Sequence, residues 1–112
     1  MPKQSWYKGA LNLKDNSKWK FRDVENTAVF TTRKIVNEGM PILYVSHDED
    51  DDAWQFHHDS NVNIEDAMII SLEMMISLDN TLNQLVDLPL GWIATRKSIY
   101  DSWNKRENRL EF

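Results

Sequence analysis

Short runs of β-branched and apolar residues, separated by polar clusters, constrain the fold of this chain most. Residues 27–32 are rich in β-branched side chains and predict a strand. Residues 42–47 hold a continuous apolar run, which predicts a second strand buried on both faces. Residues 54–57 alternate between apolar and polar and predict a third strand. Because residues 48–53 between them are mostly acidic, we expect the second and third strands to form a hairpin around a polar loop.

Short helices and further strands are indicated by local spacing and by the residues that end each element. Residues 33–37 predict one helical turn, because a glycine and a proline follow closely. Residues 82–86 carry apolar side chains at helical spacing after Asp79, which suits a helix N-cap. Residues 92–96 predict a strand, and residues 19–21 predict a short one in an otherwise weakly specified segment.

Residues 67–78 fit two interpretations that periodicity alone does not separate. In one, Asn63 caps a single helix that runs to Leu78, with acidic residues in its first turn. In the other, residues 68–70 form a buried strand and Ser71 caps a shorter helix that ends at Leu78. We favour the second interpretation, partly because of the family resemblance described below.

The order of these elements predicts an α+β fold. We expect an antiparallel sheet of about four to five strands, with two short helices covering one face. A length of 112 residues predicts a single domain spanning residues 1–112. Within it we distinguish a basic N-terminal arm at residues 1–26, a core at residues 27–96 and a polar C-terminal tail at residues 97–112.

Charge is distributed very unevenly along the chain. Residues 35–95 contain no lysine or arginine but 12 aspartates and glutamates, whereas the first 34 residues hold 8 basic residues and the last 17 hold 5. A surface of one sign attracts a partner of the other sign, so the chain is predicted to bind something cationic. The net charge of −5 argues against nucleic acid as the direct partner, because phosphates require clustered cations.

Composition also bears on the compartment. The chain has no cysteine, so it forms no disulfide and has neither a thiolate ligand nor a cysteine nucleophile. The N-terminal residues lack the apolar stretch of a signal peptide, and the longest apolar run is far shorter than a membrane span. We therefore expect a soluble cytoplasmic protein that does not contact a membrane.

Five adjacent acidic residues occupy the predicted hairpin loop. They are Asp48, Glu49, Asp50, Asp51 and Asp52. Such carboxylates repel each other in any compact arrangement, so the loop faces water unless a cation or a basic partner lies against it. Three interpretations remain open, namely a solvated tip that discourages aggregation through a strand edge, a partner-facing patch, and a metal site.

The metal interpretation of this loop is the weakest of the three. Asp48, Asp50 and Asp52 alternate as do the first ligands of an EF-hand loop, and Asp59 falls at the twelfth position. Alanine stands at residue 53, where that loop needs glycine, and the flanking segments are predicted strands rather than helices. We therefore do not expect a dedicated calcium site.

The histidines offer a second candidate metal site. If the hairpin pairs symmetrically, His47 and His57 lie close together across it, and Asp48 or Asp59 would complete a zinc set. His57 and His58 are adjacent in one strand, so they point to opposite faces and do not both bind one ion. Surface imidazoles are the commoner explanation, and we predict neither a metal nor a cofactor.

Sequence features of an enzyme are scarce. The chain has no Gly-x-Ser-x-Gly elbow and no phosphate-cradling glycine loop, and it holds only 3 glycines. A carboxylate pair for acid–base catalysis can be drawn from any chain this acidic and therefore carries no weight. We predict a protein that is not an enzyme, with a metal-dependent enzyme as the least favoured alternative.

A series of short motifs in a fixed order points to a known family. They are Thr32-Arg33-Lys34-Ile35-Val36 followed by a glycine, an Asp-rich loop before Trp54-Gln55-Phe56, the run Ile69-Ile70-Ser71-Leu72, Asp79 with Leu82 and Leu85, and Leu88-Pro89-Leu90-Gly91 leading to Arg96. In order and spacing, residues 29–96 resemble a family of small bacterial proteins of unknown function described as predicted immunity proteins of toxin systems, the thirty-third immunity family of that kind. The family has glycine and arginine beside the tryptophan, where this chain has Ala53 and Gln55.

This resemblance implies a cytoplasmic α+β protein that neutralises a cognate toxin by binding it, and a basic toxin would suit the charge pattern. The predicted partner-binding residues are Asp48, Glu49, Asp50, Asp51, Asp52, Trp54, His57, Glu65 and Asp66. In this hypothesis the carboxylates pair with lysines and arginines of the partner, and the tryptophan fills an apolar spot. The alternative is a regulatory or scaffold domain that self-associates as a homodimer.

Overall fold

A six-stranded mixed β-sheet with a few short helices forms an α+β fold in the computed structural model, which describes residues 19–109. The strands are β1 (Ala28–Thr32), β2 (Tyr44–His47), β3 (Trp54–His57), β4 (Ala67–Ser71), β5 (Trp92–Thr95) and β6 (Asn104–Glu107). The helices are α1 (Arg33–Val36) and α2 (Leu72–Leu78), and 3₁₀ turns cover Ile64–Asp66 and Asn80–Leu85. The predicted α+β class is confirmed.

The strand order β4-β1-β3-β2-β5-β6 contains one parallel pair, between β1 and β3. The other four pairs are antiparallel. β2 and β3 form the predicted hairpin, and β3 then returns in the direction of β1 and lies between β1 and β2. The expectation of a purely antiparallel sheet of four to five strands is therefore wrong in both pairing and strand number.

The sixth strand, β6, was not predicted from the sequence. Its residues Asn104–Glu107 are all exposed, so the segment shows no apolar alternation and looks like a polar tail. It is an edge strand paired with β5 along its whole length, and the backbone N–H of Asn108 continues the contact by donating to Gly91 O at 2.8 Å. Conversely, residues 19–21 do not form the predicted strand.

The alternatives for residues 67–78 are decided in favour of a strand followed by a helix, but the strand is not buried as predicted, since Ala67 and Ile69 are exposed and Met68 and Ile70 are half-buried. β4 ends at Ser71, whose Oγ accepts the backbone N–H of Met74 at 3.1 Å and so caps α2. Asn63 caps only the preceding 3₁₀ turn, where its Oδ1 accepts the N–H of Glu65 at 3.1 Å. Asp79 is an N-cap as predicted, since its carboxylate accepts the N–H of Thr81 at 3.0 Å, although the segment it begins is 3₁₀.

The hydrophobic core lies on one face of the sheet, and both helices contribute to it. The sheet supplies Val29, Val45, Trp54, Phe56 and Ala94, and the helical segments supply Ile35, Leu72, Met75, Ile76, Leu82 and Leu85. The α2 helix is the longest in residues 19–109 at seven residues, and none of the described helices is long and apolar enough to cross a membrane. The N-terminal segment reaches this core through Phe21, whose ring meets Trp54 edge-on at 5.4 Å.

Arg96 ties three separate segments to the core. Its side chain is 1% exposed and donates to Ile42 O through Nε and Nη2 at 3.0 and 2.9 Å. Nη2 also contacts Asp79 Oδ2 at 2.7 Å, and Nη1 donates to Thr81 Oγ1 at 2.9 Å. The guanidinium carbon lies 4.0 Å from the ring centroid of Trp103, which carries the chain into β6. Because the guanidinium is buried, removing its carboxylate partner would lower the free energy of unfolding substantially.

We therefore expect Asp79→Ala to lower the free energy of unfolding by about 3 kcal/mol or more, because it leaves the Arg96 guanidinium buried without its carboxylate and also removes the cap of the 3₁₀ segment. Asp87→Ala removes the same charge from an exposed position and is the matched control, with an expected change within about 0.5 kcal/mol. Urea unfolding followed by circular dichroism measures both. Equal effects of the two substitutions would contradict the role given to the Arg96 cluster.

Candidate functional site

The acidic loop, residues 48–53, is held in one conformation by its own polar groups. The backbone N–H of Asp48 donates to Ala53 O at 2.7 Å and closes the loop. Asp51 Oδ1 accepts the N–H of Ala53 at 3.0 Å. Asp52 has a φ of +61°, a left-handed conformation that aspartate adopts more readily than most residues. The loop is therefore ordered before any partner binds.

A chain of side-chain hydrogen bonds runs from this loop along β3. Gln55 Nε2 donates to Asp48 Oδ2 at 2.6 Å, and Gln55 Oε1 contacts His57 Nε2 at 2.9 Å. Because a carboxylate only accepts, the amide nitrogen must face Asp48 and the amide oxygen must face His57. His57 Nε2 therefore carries the proton and donates it to Gln55. This arrangement anchors the first residue of the acidic loop to the strand that follows it.

His57 is buried and neutral in this arrangement. Its side chain is 4% exposed, and Nδ1 has no hydrogen-bond partner within residues 19–109. Burial lowers the pKa of His57, and the negative charges of Asp48 and Asp59 oppose that shift without cancelling it. A neutral imidazole below the surface is not a contact for a partner, so the assignment of His57 to a partner-binding surface is corrected.

The lowered pKa of His57 predicts how stability depends on pH. The unfolded chain binds a proton at this histidine more tightly than the folded protein does, so the free energy of unfolding falls as pH decreases through about 6.5. His57→Gln removes this contribution and should flatten the dependence between pH 7.5 and 5.5 (the range around the ordinary histidine value, about 6.5).

Urea unfolding at several pH values measures this slope for the wild type and for two variants. His58→Gln is the control, because it replaces the neighbouring histidine, whose Nδ1 contacts Pro41 O at 2.9 Å. An unchanged slope in His57→Gln, or the same flattening in both variants, would rule out His57 as the source.

The carboxylates of the acidic loop are not neutralised by described residues. Residues 49–52 are exposed and Asp48 is half-buried. Within residues 19–109, the ion pairs are those of Arg33 and Lys34 with Asp66, of Arg96 with Asp79 and of Arg109 with Glu107, and none involves the loop. The described part of the protein therefore presents a concentrated negative charge at the tip of the hairpin.

A cleft of about 600 Å³ opens beside the acidic loop, between Asp52 and the segment of residues 86–90. His47 and Trp54 lie at this cleft as a parallel stack, with ring centroids 3.9 Å apart and planes 12° from parallel. The carbonyl of Leu88 lies 2.8 Å from His47 Nδ1 and only accepts, so Nδ1 carries the proton. The rim is charged and carries Arg22, Asp23, Asp52 and Asp87.

The nine residues predicted as a partner surface do not lie together. β3 starts at the acidic loop and ends at His57, where the parallel neighbour β1 also ends and where β4 begins. Glu65 and Asp66 precede β4 and so lie at the opposite end of the sheet from the acidic loop. The length of β3 alone separates the two groups by about 10 Å.

Two further residues of the predicted surface have structural roles. Trp54 is 1% exposed and packs between Phe21, His47 and Phe56, so its assignment to a partner surface is corrected to the core. Asp66 lies 3.8 Å from Arg33 Nε and 4.0 Å from Lys34 Nζ, which offsets its charge within the protein. Among residues 19–109, the acidic loop and Glu65 are the parts of the predicted surface that remain exposed without an ion pair, and the loop holds the greater concentration of charge.

The proposed zinc pairing of His47 and His57 is wrong. The hairpin register places His47 opposite Trp54 and His57 opposite Tyr44, so the two imidazoles are three residues apart along β2, or about 10 Å. Residues 19–109 contain no group of three or more histidine, aspartate or glutamate side chains arranged to hold a metal ion.

Sequence reasoning missed several residues of this site. Gln55 could have been found from its spacing, since residues 55 and 57 lie on the same face of one strand. Arg22, Asp23 and Asp87 line the cleft only because distant segments meet there, and no local pattern indicates that meeting.

Gly91 is a further residue whose role the sequence did not reveal. Its φ is +83°, in the left-handed region that favours glycine. A Cβ at this position would lie 3.2 Å from a carboxylate oxygen of Glu49 in the acidic loop. The loop therefore approaches the backbone before β5 closely enough to leave little room for a side chain.

Comparisons with known proteins give no match, whether by family models, by the sequences of curated proteins or by solved structures. The geometry of the chain itself must therefore support any function assigned to it. That geometry consists of an ordered acidic loop, an adjoining cleft with a charged rim, and a buried histidine linked to the loop through Gln55.

Proposed function

We propose that this chain is a non-enzymatic cytoplasmic binding protein that uses its acidic loop to bind and neutralise a basic protein toxin. The observation that carries the proposal is the set of five consecutive carboxylates on an ordered loop, none of which forms an ion pair within residues 19–109. The toxin as partner and the cytoplasm as location are taken from the motif order of residues 29–96 described in the sequence analysis, and no family model matches the chain.

Electrostatics favours fast capture of such a partner. A single-signed patch steers an oppositely charged protein toward it and raises the association rate, with a strong dependence on ionic strength. An inhibitor of a toxin benefits from rapid association, because the toxin acts until it is bound. The loop is closed by the Asp48–Ala53 and Asp51–Ala53 hydrogen bonds, which lowers the entropy lost when the loop is fixed in a complex.

The cleft beside the loop suits one long cationic side chain of the partner. Val86, Leu88 and Leu90 would contact its aliphatic stem. Asp23, Asp52 and Asp87 on the rim would pair with its ammonium or guanidinium group, and together they outweigh the single positive charge of Arg22. We propose that a lysine or arginine enters here while the loop contacts the surrounding basic surface.

The experiment uses the product of the gene adjacent to the one that encodes this chain as the candidate toxin. Co-expression with the wild-type chain should restore growth, and Glu49→Lys/Asp50→Lys should restore it less and slow association at low salt by about tenfold or more. These two positions are chosen because Asp48 and Asp51 hold the loop together whereas Glu49 and Asp50 have no hydrogen bond within residues 19–109.

Glu38→Lys/Asp101→Lys is the matched control, since it makes the same change in net charge at exposed positions outside the predicted partner surface. Surface plasmon resonance at two salt concentrations measures the association rate of each variant. A neighbouring gene product without toxicity, or equal loss in both double variants, would count against the proposal. A loss confined to the loop variant supports it.

A further inference from the structure

Among residues 19–109 nothing pairs with the outer edge of β4, and the strand itself carries no charge. β4 pairs with β1 on one side and is the first strand of the sheet, so it has no neighbour among residues 19–109 on the other side. Its sequence Ala-Met-Ile-Ile-Ser contains neither a charged residue nor proline. The opposite edge strand, β6, instead carries Lys105, Arg106 and Glu107, which discourage pairing with another strand.

The hydrogen-bond pattern shows which backbone groups of β4 face outward. The N–H of Leu72 donates to Thr27 O at 2.7 Å, so Leu72 and Thr27 form a hydrogen-bonded pair. Along an antiparallel pair of strands, hydrogen-bonded and non-hydrogen-bonded residue pairs alternate. Met68 and Ile70 therefore exchange hydrogen bonds with β1. Residues 67, 69 and 71 direct their N–H and C=O groups away from β1, toward the open edge.

Two of these six outward groups are already used within the chain. The N–H of Ala67 donates to Ile64 O at the end of the 3₁₀ turn. The C=O of Ser71 accepts the first hydrogen bond of α2, as the N-cap carbonyl does. The groups without a partner in the described part of the chain are the N–H and C=O of Ile69, the C=O of Ala67 and the N–H of Ser71, which are two donors and two acceptors.

We propose that β4 pairs with β4 of a second copy of this chain, antiparallel and about a two-fold axis at Ile69. In that register Ile69 faces Ile69 of the other copy and the two residues exchange both hydrogen bonds. Ala67 then faces Ser71 of the other copy, where one free acceptor meets one free donor on each side of the axis. Each free N–H and C=O group therefore gains a partner in the second copy. The N–H of Ala67 and the C=O of Ser71, which are already bonded within their own chain, would face each other in this register, so neither is left without a hydrogen bond.

The side chains at this edge also favour pairing about a two-fold axis at Ile69. Ile69 is 62% exposed and lies opposite Phe30 of β1, which is 37% exposed on the same face. Pairing about Ile69 brings the two isoleucines together between the two phenylalanines and removes a continuous apolar strip from water. A two-fold contact of this kind closes on itself and stops at a dimer.

The dimer would leave the acidic loops free. The loop lies at the end of the sheet where β4 finishes, because β3 begins there and runs parallel to β1. Antiparallel pairing of the two copies places their loops at opposite ends of the joint sheet, which keeps the like charges apart. The inference therefore does not depend on toxin binding, and variants at Ile69 leave the loop unchanged.

Sedimentation velocity over a range from low to high micromolar concentration tests the dimer. The wild type should shift from the monomer toward the dimer as concentration rises. Ile69→Pro removes an outward N–H that the monomer does not use, and Ile69→Lys places a charge at the axis, so both variants should remain monomeric with unchanged circular dichroism. Ile99→Lys, at an exposed apolar residue beyond β5, is the control and should dimerise like the wild type.

A cross-linking measurement gives a positive signal that does not rely on a loss of association. The chain has no cysteine, so Ile69→Cys carries the only thiol and should give a dimer with a short bismaleimide, whereas Ile99→Cys should not. The proposal is overturned if the wild type stays monomeric at the highest concentration or if either Ile69 variant dimerises as the wild type does. Loss of the dimer in Ile99→Lys, or cross-linking at residue 99, would place the contact elsewhere and also overturn it.

Discussion

Mutual repulsion among five adjacent carboxylates is the constraint around which this structure is organised. Two unit charges about 6 Å apart repel by about 0.7 kcal/mol in water and by several times more in a medium of low polarity, so the run must lie at the surface. Placing it at the turn of a hairpin satisfies this requirement. The strands β2 and β3 on either side then occupy the middle of the sheet, where they bury Val45, Trp54 and Phe56.

Hydrogen bonds within the protein fix the positions of two of the loop carboxylates. Asp48 is linked through Gln55 to the buried His57, and Asp51 accepts a backbone N–H of the loop. Two of the five carboxylates thus shape the loop, and four of the five, including Asp51, are exposed to the solvent. The same strand therefore joins an exposed negative tip to a neutral histidine at the other end of the sheet, and the loop and the core are stabilised together.

Local pattern was enough to predict much of the fold. The β-branched run at β1, the hairpin at β2 and β3 and the Asp79 cap depend on short-range chemistry and were predicted, whereas the Ser71 cap was favoured over a single longer helix partly because of the family resemblance. The parallel pairing of β1 with β3 depends on how consecutive strands are ordered in space, which no residue encodes locally. β6 was not predicted because all of its residues are exposed, so its sequence shows no alternation of apolar and polar residues.

The candidate site was predictable only in its most local part. The exposure of the acidic loop follows from its own charges, but the burial of Trp54 and His57 depends on what packs against β3 from elsewhere. Asp66 looked free in the sequence because the segment around it lacks cations, yet Arg33 and Lys34 reach it across the β1–β4 pair. Sequence counts of charge by segment miss such contacts, since strand pairing brings basic and acidic segments together.

The central claim is that the acidic loop carries an uncompensated negative potential in the folded protein. Paramagnetic relaxation of the backbone amide protons, compared between a cationic and an anionic soluble nitroxide, measures the local electrostatic potential at each residue. At low salt we expect much stronger relaxation by the cationic probe at residues 48–53, and a potential there clearly more negative than around β6. Equal relaxation by the two probes at the loop would show that the protein's own cations cover it, and would contradict the account.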